Sequence, residues 1–534
     1  MLDKTSDVIV VGGGLGGIAA ALALLRDGRR VVLTEEYDWL GGQLTSQAVP
    51  PDEHSWVEQF GVTASYRALR EGIRDYYRRN FPLTPRSRAR RELNPGGGNV
   101  SRLCHEPRVA VAVLEEMLAP YRGSGRLTVL QPWRPIGART DGDRVTAVTV
   151  EHRDSGERIE LFAPYILDAT ETGELLPLSG TEYVTGFEST SDTGEPSAPE
   201  EAEPATMQAV SVCFAIDHVD GDHTIDKPAR YDFWRTYQPG FWGAPLLSFR
   251  SPDPRTLEMT ERTFTPNPDD DPLAVVADQR LSPGDGNLWT FRRIAARGTF
   301  TEGAYPSDIC LVNWPMIDYF ESPVIDVPDP EHHIAAAREL SRSMLYWLQT
   351  EAPRTDGGTG FGGLRLRGDV TGGADGLAQA PYIRESRRIR AEYTIVEQDL
   401  SLAVRGDKGA VQHADSIGVG MYRIDLHPST GGHTYLDVAS CPFEIPLGAL
   451  IPQRVENLLP AGKNIGTTHI TNGSHRLHPV EWNIGEVAGS LAGFCLTHRV
   501  TPRAVRDTPG LLAEFQHRLE RDGVELRWPD IAGY

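Results

Sequence analysis

Cysteine is scarce and scattered: five residues in 534, at Cys104, Cys213, Cys310, Cys441 and Cys495, with no C-x-x-C pair. That spacing argues against a dithiol redox motif and against a zinc cluster. Lysine is rarer still, with only Lys4, Lys227, Lys408 and Lys463, so arginine carries nearly all the positive charge. Positive charge is itself in deficit. The formal net charge of −21 argues against nucleic acid and anionic membrane surfaces as partners. No apolar run is long enough to span a bilayer, and the N-terminus lacks the basic flank and separate apolar stretch of a leader. The expectation is a cytoplasmic protein. What remains, 40% hydrophobic and 24% charged, is an ordinary globular composition with room for two or more domains.

What is present is concentrated at the start, in DVIVVGGGLGGIAAALALLRDGRRVVLTEE. Val8 to Val11 read as a buried strand, GGGLGG as a turn, the alanine-leucine run as a helix closed by Gly28, and Val31 to Leu33 as a second strand. Gly12, Gly14 and Gly17 match G-x-G-x-x-G. In that pattern the first glycine makes the tight turn, the second lets a pyrophosphate reach the main chain, and the third lets helix and strand pack closely. Unpaired N–H groups at the helix start, around Leu15 and Gly16, complete an anion site. Glu35, followed by Glu36, stands where an acid accepts the ribose hydroxyls. Strand, helix, second strand and acid in register predict dinucleotide binding.

Further along, EYDWLGGQLTSQ offers Gly41 and Gly42 for close approach to a ligand, with Gln43, Thr45 and Ser46 as polar contacts. Cys104 and His105 precede a proline-initiated helix and read either as an active-site pair or, preferably, as packing. An apolar strand runs into DATETG, bringing Ala169 and Thr170 to a small-residue turn. In the aromatic-rich block from Gln208 to about Tyr435, Trp289, Arg292, Arg293, Asn313, Trp314 and Asp318 are candidate pocket lining. The glycine-rich stretch from Thr355 to Gly376 reads as a mobile lid. In APYIRESRRI a helix would put Arg384 and Arg387 on one face, suited to an anionic or carbonyl-bearing substrate or to an internal ion-pair lattice. VENLLPAG is another strand ending at small residues, and GEVAGSLAGFCL is a helix expected to begin near Asn483. Its positive end would stabilise a reduced flavin, with His475, His478 and Glu481 just ahead of it.

These stretches together resemble the FAD-dependent oxidoreductases of the glutathione-reductase-like superfamily, specifically a bacterial group some of whose members carry the label xanthan lyase. The resemblance rests on VVGGGLGGIAAALAL, LGGQLTSQ, NPGGGNVSRLCHEP, DATETGEL, NWPMIDY, APYIRESRRI, VENLLPAGKNIG and NGSHRLHPVEWNIGEVAG. It implies an α/β fold: a Rossmann-like FAD-binding domain in discontinuous segments (1–185 and 436–505), an inserted α+β substrate domain (186–435) and a helical tail (506–534). It implies FAD held by Gly12, Gly14, Gly17 and Glu35, with Gly41, Gly42 and Gln43 on the flavin side. Ala461, Gly462 and Asn464 would lie near the ribityl chain and pyrophosphate, and Gly485 and Glu486 at the pyrimidine end. No second glycine unit of comparable quality occurs, so no built-in NAD(P)H domain is expected.

The expected reaction is hydride removal from an alcohol, sugar-like or amine carbon onto flavin N5, with an electron acceptor such as O2 or a quinone downstream. His478 is the first candidate for the base, His475 the second, Glu481 a group that orients either ring, and Arg384 and Arg476 clamps for substrate or flavin. The alternatives are a flavin-dependent monooxygenase of a specialised metabolite and a non-catalytic flavoprotein scaffold or redox sensor.

Overall fold

The computed structural model describes residues 6–276 and 286–534. Val8–Val11 form the first strand, with every side chain buried, as expected for the centre of a parallel sheet covered on both faces. The chain leaves it at Gly12 with φ of +101°, where a Cβ would stand 2.2 Å from the Ala169 carbonyl oxygen. Glycine is needed there both for the turn and for the close approach. The first helix, Leu15–Arg26, follows, and the second strand, Val31–Thr34, pairs in parallel with the first, Val8 opposite Val31.

Five parallel strands make the main sheet, in the order Leu458–Pro460, Tyr165–Asp168, Val8–Val11, Val31–Thr34, Leu127–Leu130. The edge strand at 458–460 comes from the far end of the chain, yet Leu459 pairs with Leu167. After it comes a long helix, His478–His498, which crosses the first helix at backbone contact. A Cβ on Gly485 would lie 2.0 Å from the Gly16 carbonyl oxygen, and one on Gly489 2.3 Å from that of Ala20. The small residues of both helices are therefore the condition for this crossing. The fold is the α/β, Rossmann-like one expected.

Between 214 and 366 the chain builds a second, antiparallel sheet, ordered Arg293–Ala295, Ile309–Val312, Phe214–His218, Leu364–Leu366. The helix Pro330–Thr350 shares its core, which buries Trp234, Trp242, Trp289 and Trp314 completely or nearly so. The aromatic pieces of the sequence are thus mostly core.

Three expectations fail here. The glycine-rich stretch is not a lid, because its centre, Leu364–Leu366, is a strand of this sheet and Arg365 and Arg367 both pair with Asp217. APYIRESRRI is not a helix: it runs irregularly into a short strand, Arg388–Ile389, and its arginines go separate ways. The long C-terminal helix begins at His478 rather than near Asn483, because Pro479 is well tolerated in a first turn. No helix among the described residues is long and apolar enough to cross a membrane.

Candidate functional site: a cleft at the carboxyl ends of the parallel strands

The residues just after three of the strands, Gly12, Glu35 and Ala169, open onto a cleft of about 610 Å³, within the usual range for ligand pockets. Gly12, Gly14, Glu35, Glu36, Gly42, Ala169 and Thr170 line its sheet side, while Pro330, Arg338, Gln379 and Ile383 line the side facing the antiparallel unit. Glu35 is held in place by two backbone donors, the N–H of Gly13 and that of Tyr37, each at 2.8 Å. Burial nevertheless pushes its carboxyl up to about 8, with the two N–H groups opposing. Thr170 donates to Asp168, through its hydroxyl at 2.7 Å and its N–H at 3.1 Å, which fixes the turn after the strand.

The first helix follows Gly14, whose position caps it with no side chain, so its first N–H groups are left for a ligand. A Cβ placed on Gly14 would meet Glu171 Oε1 at 2.8 Å, and one on Gly42 would meet the same atom at 2.8 Å. Both glycine loops therefore face one cradle, filled by a single flexible carboxylate. The Gly41 N–H donates to the Gly13 carbonyl at 2.8 Å, tying the two loops together. Glu171 pairs with Lys463, a buried lysine whose Nζ also lies 3.7 Å from Glu481. Burial works against the Lys463 charge, but Glu171 and Glu481 hold its ammonium above the ordinary value. Neither Glu171 nor Lys463 was singled out from the sequence. The available signal was a lysine inside PAGKN, a small-residue turn, in a chain that otherwise uses arginine.

Two histidines stand out. His478, at the start of the long helix, has the Asp52 N–H 3.0 Å from its Nδ1 and the Val49 carbonyl against the ring, while its Nε2 is buried and unpartnered. Burial lowers this ring to about 3. His105 is the other. Its Nδ1–H donates to the Glu106 carbonyl at 3.0 Å, leaving a bare, buried and unpartnered Nε2, and burial lowers this ring to about 4. Both rings are therefore neutral at pH 7. The neighbouring Cys104 is inert, its thiol pushed up to about 12 by burial.

Other expected residues are committed elsewhere. His475 turns into the core against the Phe443 ring, 4.4 Å away, with its Nδ1–H on the Thr471 carbonyl. Glu481 accepts from Gln43 and faces Lys463, so it orients neither imidazole. Arg384 is paired with Asp318 at 3.0 Å and donates to Ser211 and the Ala209 carbonyl, which leaves no clamp. Arg387 pairs with Asp326 and Arg388 with Glu385, the lattice alternative. Glu486 pairs with Arg26 and accepts from Ser65, so it and Gly485 belong to the helix crossing rather than to the pyrimidine end of a cofactor. Leu15 and Gly16 pack likewise, with a Gly16 Cβ only 1.7 Å from the Ala461 carbonyl oxygen. Asn464 donates to the Asp168 carbonyl at 3.0 Å and keeps Oδ1 free. A Cβ on Gly462 would face Glu481 Oε1 at 3.2 Å. Of the six pocket candidates, Trp289, Arg293 and Asp318 are bonded internally, whereas Arg292, Asn313 and Trp314 keep unpartnered nitrogens.

A glycine cradle at a helix start, an acid at the end of the second strand, and a C-terminal helix directed at the same site define a dinucleotide-binding flavoprotein. The sequence model of the FAD dependent oxidoreductase family matches residues 7–519, and the chain belongs to that family. FAD is its cofactor. The cradle fits this group: Gly12, Gly14 and Gly42 leave room for the pyrophosphate, Glu35 for the ribose, and Lys463 supplies the buried cation. No curated protein matches the chain. Among solved structures, it is similar to the Mycobacterium smegmatis Sdh1 complex in the apo form, at 13% identity over 32% of this chain and 34% of that one, with a TM-score of 0.22. It thus spans about a third of the length of Sdh1. L-proline dehydrogenase from P. horikoshii matches at 20% identity over 35% and 25%, TM-score 0.18. OxyS anhydrotetracycline hydroxylase from Streptomyces rimosus matches at 15% over 42% and 39%, TM-score 0.24. None of these likenesses bears on substrate or reaction.

Proposed function

We propose that this oxidoreductase removes a hydride from a small polar substrate, at a carbon bearing a hydroxyl or amine. FAD, when bound, supplies the two-electron acceptor. The observation that supports the reading is two buried, neutral imidazoles, each with its Nε2 left without a partner. His105 Nε2 is a free acceptor for the proton leaving the substrate O–H or N–H, and His478 Nε2 is a second buried nitrogen left for a polar contact. Because both rings titrate far below 7, both are in the required state at neutral pH. Gln47, which lines the cleft and has both polar side-chain atoms unpartnered, offers a further contact on the way in.

The test is an anaerobic metabolite screen that follows loss of the yellow flavin absorbance. Substrate alone should bleach the protein, and His105→Gln should keep its FAD while slowing bleaching by roughly 10²–10⁴-fold. A flavin that stays oxidised until NAD(P)H is added would instead point to a monooxygenase. One that no reductant bleaches would point to a scaffold.

A further inference from the structure

Part of the cleft wall is made by two loops tied together, since the Ala380 N–H donates to the Ser46 carbonyl at 2.9 Å. Ser46, Gln47, Gln379, Ala380 and Ile383 all line the cleft. Two of them are carboxamides, and they differ. Gln379 donates from Nε2 to the Gly372 carbonyl, at a long 3.5 Å, and keeps only Oε1 unpartnered. Gln47 is 1% exposed, and neither its Nε2 nor its Oε1 has a partner. A buried carboxamide with donor and acceptor both idle is costly, so a fold that keeps one at a ligand cleft has a ligand to satisfy it. The backbone is bent at this point. The next residue, Ala48, has φ of +53°, a left-handed conformation unfavourable for a residue with a side chain.

What Gln47 can recognise follows from its two ends. A carboxamide donates from one atom and accepts on the other, side by side, and so matches an edge that presents a carbonyl next to an N–H. A carbon bearing a hydroxyl or amine offers no such edge. The pyrimidine ring of FAD does, as an imide N–H flanked by two carbonyls. The run of the cofactor brings that ring to this wall. Glu35 is bonded to the first glycine loop, through the Gly13 N–H, and takes the adenosine ribose. Gln47 is bonded to the second, its N–H donating to the Gly42 carbonyl at 3.0 Å. The pyrophosphate lies between the two loops, where a Cβ on Gly14 and one on Gly42 would meet the same Glu171 oxygen. The flavin half therefore extends along the second loop.

We infer that Gln47 hydrogen-bonds the pyrimidine edge of the flavin, accepting its imide N–H and donating to the adjacent carbonyl, and so helps set the affinity and the potential of the bound ring. This rests on the cofactor and not on the reaction proposed above. It gives the contact that Gln47 offers in the cleft a definite occupant.

The probe is 3-methyl-FAD, in which a methyl group replaces the imide hydrogen, with ADP as the control that lacks the ring. Calorimetric titration of the full chain freed of flavin should show FAD binding at least about tenfold tighter than 3-methyl-FAD, a difference of about 1.4 kcal/mol. In Gln47→Ala that preference should shrink to about twofold or less, with ADP bound as in the wild type, because only the contact to the ring is lost. Gln47→Glu keeps an acceptor and replaces the donor with negative charge, so the midpoint potential of its bound flavin should fall. Equal wild-type affinity for the two flavins, or an unchanged potential in Gln47→Glu, would overturn the inference. An undiminished preference in Gln47→Ala would overturn it too and hand the side chain to substrate. A parallel loss of ADP binding would make Gln47 a support of the glycine loop and nothing more. The wild-type comparison and the Gln47→Glu potential keep the inference open to refutation even where Gln47→Ala fails to fold.

Discussion

Single residues carry the sharpest tests of the cradle. Gly14 has φ of −66°, which any residue adopts, and a Cβ there meets only the movable end of Glu171. Gly14→Val should therefore fold with little loss of stability and yet purify colourless, because its side chain takes the place of the pyrophosphate. A folded, yellow variant would contradict the assignment. Glu35 gives a pH signature. Its carboxyl titrates at about 8 with the cleft open, and hydrogen bonds from ribose hydroxyls to the charged form would lower that value. FAD binding then releases a proton, so affinity should rise with pH up to about 8, measured by fluorescence titration of the apoprotein. Glu35→Gln should flatten that dependence. These two residues were legible in the sequence because their roles follow from spacing along one continuous strand-helix-strand unit. Glu171, Lys463 and His105 were not, since the meaning of the first two comes from a partner 292 positions away and that of the third from a tautomer that only a backbone contact sets.

At the scale of elements, the crossing of Leu15–Arg26 with His478–His498 fixes how the C-terminal helix meets the cleft. Gly485 and Gly489 stand in plain view in the sequence, but the helix they pack on does not, because a small-residue stripe does not name the helix it faces. Gly485→Val would drive a side chain into the Gly16 carbonyl, 2.0 Å from where its Cβ would stand. It should cost about 3 kcal/mol or more by denaturant unfolding, and the surviving folded fraction should bind FAD weakly. A neutral effect would mean that the helices have room to separate. The start of this helix was misplaced by five residues because His478 and Pro479 carry no apolar periodicity, although proline at the second position is a start signal.

Taken whole, the molecule brings distant stretches into one sheet: the strand at 458–460 lies beside that at 165–168, which lies beside that at 8–11. Parallel strands buried on both faces leave continuous apolar runs that can be read directly. The antiparallel unit was less legible. Its strands are three to five residues long and separated by loops, and its aromatic residues mark a core without marking an order. That is also why a strand within a glycine-rich stretch looked like a lid. The central claim is that the N-terminal loop and the far C-terminal helix close on one FAD. Hydrogen–deuterium exchange of the apoprotein against the FAD-loaded protein tests it most directly. Protection on loading is predicted at 12–17 and at 476–482 together, and protection confined to the N-terminal loop would contradict it.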